Sequence, residues 1–133
     1  MIAYDTNILI YAFEGTNSWS KAAQLIVQQG EHDGAVLSIL AWQELMTGAV
    51  MRGDDSDEQL ATVLRNLSAT RFVPVTLAIC KRATALTKRY GKQLYGYDAI
   101  HIATAIEYKA DFFVTNDKVL TNLQLDELVV RGL

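Results

Sequence analysis

Ile2-Ala3-Tyr4-Asp5-Thr6-Asn7-Ile8-Leu9-Ile10-Tyr11-Ala12-Phe13 opens the chain with an apolar triplet, an aspartate, and then a run apolar enough for a helix. The sequence predicts a short buried strand over Ile2 to Tyr4 that ends at Asp5 and turns at once into a helix over Thr6 to Phe13. The same pattern recurs downstream. Ala35-Val36-Leu37 reads as a second strand, and Ser38 caps a helix whose stripe Ile39, Trp42, Leu45, Met46, Ala49 and Val50 stops at Gly53. Arg71 to Val75 reads as a third strand near its end at Pro74, which has no amide to donate, and Thr76 caps a helix reaching Gly91. Asp98 to Lys109 is a helix leading into the strand Phe112 to Thr115, then a turn at Asn116-Asp117 and a last strand near Leu128 to Val130. Between these units, Ser18 starts a helix with a stop at Gly30, and Ser56 to Gln59 has the form of a capping box. Strands alternating with helices imply parallel pairing, and so a three-layer α/β/α sandwich with a central parallel sheet of four to five strands.

The 133 residues suit one domain, 1–133, large enough to bury a core without disulfides. Half the residues are apolar and a fifth charged, which excludes a disordered or low-complexity chain. The longest apolar run, Ile8 to Phe13, is far short of the roughly twenty residues of a membrane span, and nothing at the N-terminus resembles a signal peptide. Cys80 is the only cysteine, so an internal disulfide and a cysteine-rich metal site are both excluded, and a reducing cytoplasm is the expected compartment.

Net charge is -3, yet it is unevenly spread. From Gln59 to Tyr97 there is no acid, while Arg65, Arg71, Lys81, Arg82, Lys88, Arg89 and Lys92 give that segment +7 against -10 for the remainder. On the helix after Thr76, Lys81, Lys88 and Lys92 fall within about 20° of one direction, with Ile79, Ala83, Leu86 and Tyr90 opposite. A solvated face is the competing reading, since surface helices are commonly lysine-rich. The total lack of acids, just ahead of Asp98, makes Lys81, Arg82, Lys88, Arg89 and Lys92 the candidate phosphate-binding residues.

In an open parallel sheet, ligands bind beyond the carboxyl ends of the strands, where Asp5, Ser38 and Asp117 fall. Asp98 begins a helix that can turn toward the same edge. Glu44 sits about 40° around the helix from Leu40, beside the apolar stripe, and can lean inward. Singly, each acid reads as a helix cap or a solvated carboxylate. Four converging carboxylates would repel unless a cation neutralised them, and hard oxygen donors favour Mg²⁺ or Mn²⁺ over zinc.

Tyr4-Asp5-Thr6-Asn7-Ile8-Leu9-Ile10-Tyr11, Ser38 with Glu44 six later, Tyr97-Asp98-Ala99-Ile100-His101-Ile102-Ala103-Thr104-Ala105, and Val114-Thr115-Asn116-Asp117-Lys118 together resemble the four motifs of PIN-domain ribonucleases. The similarity is to the VapC-type toxins of toxin-antitoxin pairs and spans essentially the whole chain. It implies a PIN-like fold and a metal-dependent endoribonuclease that inhibits translation, with Asp5, Glu44, Asp98 and Asp117 as catalytic and metal-holding acids. It also implies Thr6, Asn7, Ser38 and Thr115 as their polar support, a small cognate antitoxin as partner, and a homodimer.

Two other classes compete. A catalytically silent PIN-like module for RNA or protein is opposed by the four intact acids. A phosphatase of the haloacid dehalogenase type wants a second acid two residues after the first, where Asn7 stands. His101, three residues past Asp98, reads as a packed histidine or a neighbour of the acids, and His32 as a surface residue. Cys80 reads as a small core residue, and Trp19 and Trp42 as core or interface. Asp54, Asp55, Asp57 and Glu58 make an acidic helix start of the kind the helix dipole favours.

Overall fold

The computed structural model describes residues 1–15 and 18–133. Its elements are β1 (Ala3–Tyr4), α1 (Thr6–Glu14), α2 (Ser18–Asp33), β2 (Ala35–Ser38), α3 (Ile39–Arg52), α4 (Ser56–Arg65), β3 (Thr70–Val73), α5 (Leu77–Tyr90), a 3₁₀ turn (Gly91–Gln93), α6 (Gly96–Glu107), β4 (Phe112–Val114), α7 (Lys118–Asn122) and β5 (Val129–Arg131). Every strand pair is parallel, with β4 between β1 and β5, and β2 beside β3. The expected continuous sheet of four to five strands is thus divided into a three-stranded and a two-stranded part. They meet at Ile2 opposite Ala35, where the Ile2 amide donates to the Gly34 carbonyl and the Val36 amide to the Ile2 carbonyl. The division has a local cause: β1 is two residues long because the chain leaves the ladder at Asp5 to enter α1.

Alternation along the strands sends side chains to both faces, and both are covered by helices, as a parallel sheet requires. Ile2, Tyr4, Ala35, Leu37, Phe112 and Val114 pack with apolar residues of α1 to α4. Ala3, Val36 and Phe113 point the other way, into a second cluster with Ile79, Leu86, Leu94 and Ile102. These are the α/β/α layers that the alternating pattern predicts.

Local signals succeed where they act locally. Ser38 Oγ accepts from the Leu40 amide and Thr76 Oγ1 from the Ile79 amide, each at 3.2 Å, so both caps form where expected. Gly53 and Gly91 end their helices at positive φ of 77° and 65°, conformations that favour glycine. Three expectations are corrected. Gly30 does not stop α2, which runs on to Asp33. A Cβ there would lie 3.0 Å from Ala35 Cβ and 3.2 Å from a Tyr4 ring carbon, so this glycine lets the helix lie close against the sheet. The capping box at Ser56 is absent: Asp55 occupies the cap position at φ 58°, and the Ser56 hydroxyl donates to the Gly53 carbonyl at 2.6 Å. Cys80 is exposed, because Ile79 and Ala83 take the inward face of α5 and Cys80 is about 100° around from Ile79. Trp19 and Trp42 stay 41% and 38% exposed, at the margins of their stripes. No helix of the described residues is long and apolar enough to cross a membrane.

Tyr4 carries an identifiable polar cost in this core. Its hydroxyl is buried without a hydrogen-bond partner of good geometry, and the nearby Thr70 hydroxyl donates to Glu31 at 2.8 Å instead. Burial pushes the phenol from 10.0 up to about 12, eased by Thr70 and reinforced by the Glu31 charge. The raised value leaves stability intact below pH 10 and erodes it as the unfolded chain ionises first, by about 2–3 kcal/mol once pH reaches 12. Tyr4→Phe is expected to match wild type within about 1 kcal/mol at pH 7, since an unpartnered hydroxyl adds little. In urea melts it should lose less stability than wild type between pH 10 and 12; identical pH profiles would refute the assignment.

Candidate active site

The site begins with strand register. Tyr4 stands opposite Val114, and the Asp5 amide donates to the Val114 carbonyl at 2.9 Å, so the residues leaving β1 and β4 emerge side by side. Thr115, fully buried, donates its hydroxyl to Asp5 Oδ2 at 2.9 Å and accepts from the Asp117 amide at 3.0 Å. One hydroxyl therefore organises two acids. Asp5 occupies the cap position of α1 yet makes no side-chain cap bond, so the capping account of this residue fails. Asp117 does cap, its Oδ1 accepting from the Val119 amide at 2.8 Å at the start of α7, while its backbone is held by Thr115.

Asp98 reaches the same edge from the first turn of α6. Burial raises its carboxyl above the ordinary range, and the negative charges of Asp5 and Asp117 push in the same direction. His101 pulls it back, and Glu44 adds a further upward push. The other three acids named from sequence thus all bear on Asp98. Glu44 leans inward from α3 as the helical wheel predicts, and its Oε1 meets His101 Nε2 at 2.9 Å. His101 is buried, its side chain 6% exposed against 35% for Glu44. Its partner lies 57 residues away in sequence, and the only trace of the contact there is the three-residue spacing from Asp98.

The remaining support residues divide. Thr115 bonds an acid directly, whereas Ser38 is occupied as the α3 cap, Thr6 is buried with an unpartnered hydroxyl, and Asn7 is exposed. Asp5, Glu44, Asp98 and Asp117 are the hard-oxygen donors available to a cation. Among the described residues, no three His, Cys, Asp or Glu side chains converge into a ready-made metal cage.

The basic segment is less free than its composition implies. Arg82 pairs with Glu107, and Arg89 with Asp126, whose hydrogen bond and charge raise the guanidinium further. Arg71 lies over the Tyr108 ring. Lys81, Lys88 and Lys92 remain exposed, in no ion pair with the described residues. Lys88 lines a concavity of about 600 Å³ between α5 and α6 together with Gly96 and Ala99, which flank the turn carrying Asp98. His32 is a surface residue, paired with Asp33.

A parallel α/β/α sandwich with carboxylates gathered at the carboxyl edge of its sheet is the class that fold and site define. The PIN domain family model matches residues 2–124, and the chain belongs to that family. Among solved structures, a chain of a toxin-antitoxin complex from Klebsiella pneumoniae is 25% identical with a TM-score of 0.71, over 97% of this chain and 96% of that one. A chain of VapBC2 from Rickettsia felis bound to a promoter DNA fragment gives 17% and 0.74, over 100% and 99%. A chain of FitAcB from Neisseria gonorrhoeae gives 18% and 0.74, over 98% and 96%, and at these two identities the likeness is one of fold. The comparison with curated proteins returns no match. Family model and neighbours together bear out the resemblance to VapC-type PIN proteins that the four motifs carry.

Asp98→Asn removes the charge that its surroundings disfavour. We expect a folded variant melting above wild type at pH 7. Because the folded carboxyl is raised, wild type regains stability as pH falls through that raised value toward the ordinary range near 3.8. The Asn variant lacks this gain, so the two melting curves should converge on acidification. A variant no more stable than wild type at pH 7 would contradict the repulsion.

Proposed function

We propose that this protein is the toxin of a toxin-antitoxin pair: a Mg²⁺- or Mn²⁺-dependent endoribonuclease that cleaves RNA phosphodiester bonds and so inhibits translation. The observation that carries this reading is the placing of Asp5 and Asp117 on the Thr115 hydroxyl in a PIN domain, with Asp98 close enough to feel the charges of Asp5, Asp117 and Glu44. Carboxylate oxygens suit Mg²⁺ or Mn²⁺, and the like-charge pressure on Asp98 is of the kind a divalent cation relieves. Asp5 and Asp98 would hold the cation directly, with Glu44 and Asp117 completing the site through water or a second ion. A cation so held supplies an acidified water and offsets the charge that builds on phosphorus.

The chain's own part is to orient. Thr115 fixes one oxygen of Asp5, and the other takes no hydrogen bond from the described residues. The α7 cap holds Asp117 at the rim. Lys88, beside the turn that carries Asp98, and Lys81 and Lys92 on the same exposed side offer point charges to a phosphate backbone. The proposed partner is a small antitoxin, as the complexes of its structural neighbours suggest, with a basic side chain that pairs with the acids in place of a cation. A homodimer and a cytoplasmic location belong to the same reading, resting on the family resemblance and on cysteine usage.

One observation favours a PIN domain without nuclease activity: the lack of a ready-made cage among the described residues. The two readings separate in one experiment. On the nuclease reading, wild type cleaves RNA with Mg²⁺ or Mn²⁺ and melts higher when either is added, and its expression arrests growth. Asp5→Asn keeps its circular dichroism, loses at least about 100-fold in cleavage and loses the metal-induced shift. Wild type that neither cleaves nor shifts would leave the silent module. A second test concerns the lysines: Lys88→Gln with Lys92→Gln is expected to weaken binding of single-stranded RNA and flatten its log-log salt slope by about 1.4. Arg89→Gln, which breaks an ion pair with Asp126, should change that slope less.

A further inference from the structure

We propose that His101 is the positioning residue for Glu44: it holds one carboxylate oxygen by hydrogen bond and leaves the second for the cation site. This inference rests on the metal-dependent reading above and assigns a task to a residue that the four-acid scheme leaves idle. His101 is buried on α6, one turn past Asp98, and its Nε2 lies 2.9 Å from Glu44 Oε1 on α3. The two helices pack into different core clusters on opposite sheet faces, so this bond spans the layers at the edge where the acids gather. Glu44 Oε2 takes no hydrogen bond from the described residues.

The chemistry of the pair sets its direction. A carboxylate only accepts, so the ring presents Nε2–H to it. A glutamate has three rotatable side-chain bonds, and one this exposed would sample many rotamers without a tether. A direct metal-binding role for the same nitrogen is excluded while Glu44 occupies it. A merely space-filling role is equally poor, since an apolar side chain would fill the volume and leave Glu44 unheld. Donors to ligating groups act through orientation, and their loss typically costs 10- to 100-fold in metal affinity.

The test compares His101→Leu, His101→Gln, Glu44→Gln and the double variant His101→Leu/Glu44→Gln with wild type. Mn²⁺ affinity is read from free-ion electron paramagnetic resonance, folding from thermal melts, and cleavage as kcat and KM. Leu is expected to weaken Mn²⁺ binding by about 10- to 100-fold and to recover part of kcat at high Mn²⁺. Gln, which restores a donor near the Nε2 position, should bind Mn²⁺ within a few-fold of wild type. The double variant should be no weaker than Glu44→Gln alone, because both changes remove one interaction. Wild-type Mn²⁺ affinity in a folded His101→Leu, a Gln variant as weak as Leu, or additive losses in the double variant would each overturn the proposal. If Leu fails to fold, Gln against Glu44→Gln decides alone: comparable losses refute it. Wild type that binds no Mn²⁺ and cleaves no RNA removes the nuclease reading and this inference together, whereas active wild type with an indifferent His101 removes only the latter.

Discussion

The functional end of this molecule depends on the parallel register of β1 and β4. With Tyr4 opposite Val114, the next residue on each strand, Asp5 and Thr115, must leave the ladder together. A buried threonine hydroxyl needs partners, and Thr115 finds two, donating to the Asp5 carboxylate and accepting from the Asp117 amide. A slip by one residue would turn every side chain of β1 to the other face and replace Asp5 at the edge with Tyr4 or Thr6. Hydrophobic alternation forbids that slip: Ile2 and Tyr4 belong to one core, Ala3 to the other. The packing that makes the fold unique also sets the position of the first acid.

Gathering carboxylates works against stability. Asp98 bears this cost, its carboxyl raised by burial and by Asp5, Asp117 and Glu44 and drawn back by His101. Asp5 forgoes the helix cap it is placed to make, and the Thr6 hydroxyl beside it is buried without a partner. Elsewhere the chain follows local rules closely, with Ser38 and Thr76 capping their helices and two helices ending on glycine. Local rules are broken at the Asp54–Ser56 turn as well, where Asp55 caps α4 from a left-handed conformation without a side-chain bond, but at the sheet edge the broken cap and the like-charge pressure fall together.

This contrast explains what was legible in the sequence. Caps, stops and apolar stripes depend on neighbours within about four residues, and these read correctly at Ser38, Gly53, Thr76 and Gly91. One local signal fails, at Ser56, where the positive φ of Asp54 and Asp55 turns the hydroxyl back to the Gly53 carbonyl, and the other failures occur where distant contacts decide. Gly30 reads as a helix stop until Ala35 and Tyr4 are seen pressed against it. Cys80 reads as core because its neighbours are apolar, yet its exposure follows from which α5 face meets α6. The nearness of the four acids was legible because strand ends and helix starts carry Asp5, Asp98 and Asp117 toward one edge and the helical wheel turns Glu44 inward. The His101–Glu44 bond, 57 residues apart, leaves no periodic signal.

The basic segment completes this division between local and distant information. Its composition is uniform, seven bases without an acid, but folding sorts them by chemistry. Arg82 and Arg89 go to acids brought from elsewhere in the chain, Glu107 and Asp126, and Arg71 to the face of Tyr108. Planar guanidinium groups suit such fixed partners, forked toward a carboxylate or stacked on a ring. The compact ammonium groups of Lys81, Lys88 and Lys92 stay in solvent on flexible stems, a form of charge that meets a phosphate backbone without demanding one geometry. On α5 and the turn after it, arginines in ion pairs and lysines free of them are thus separated by residue type. Of the seven bases, the three lysines and Arg65, which bonds only the Thr62 hydroxyl, stay outside any ion pair or ring contact with the described residues, and Lys88 lies beside the turn that delivers Asp98.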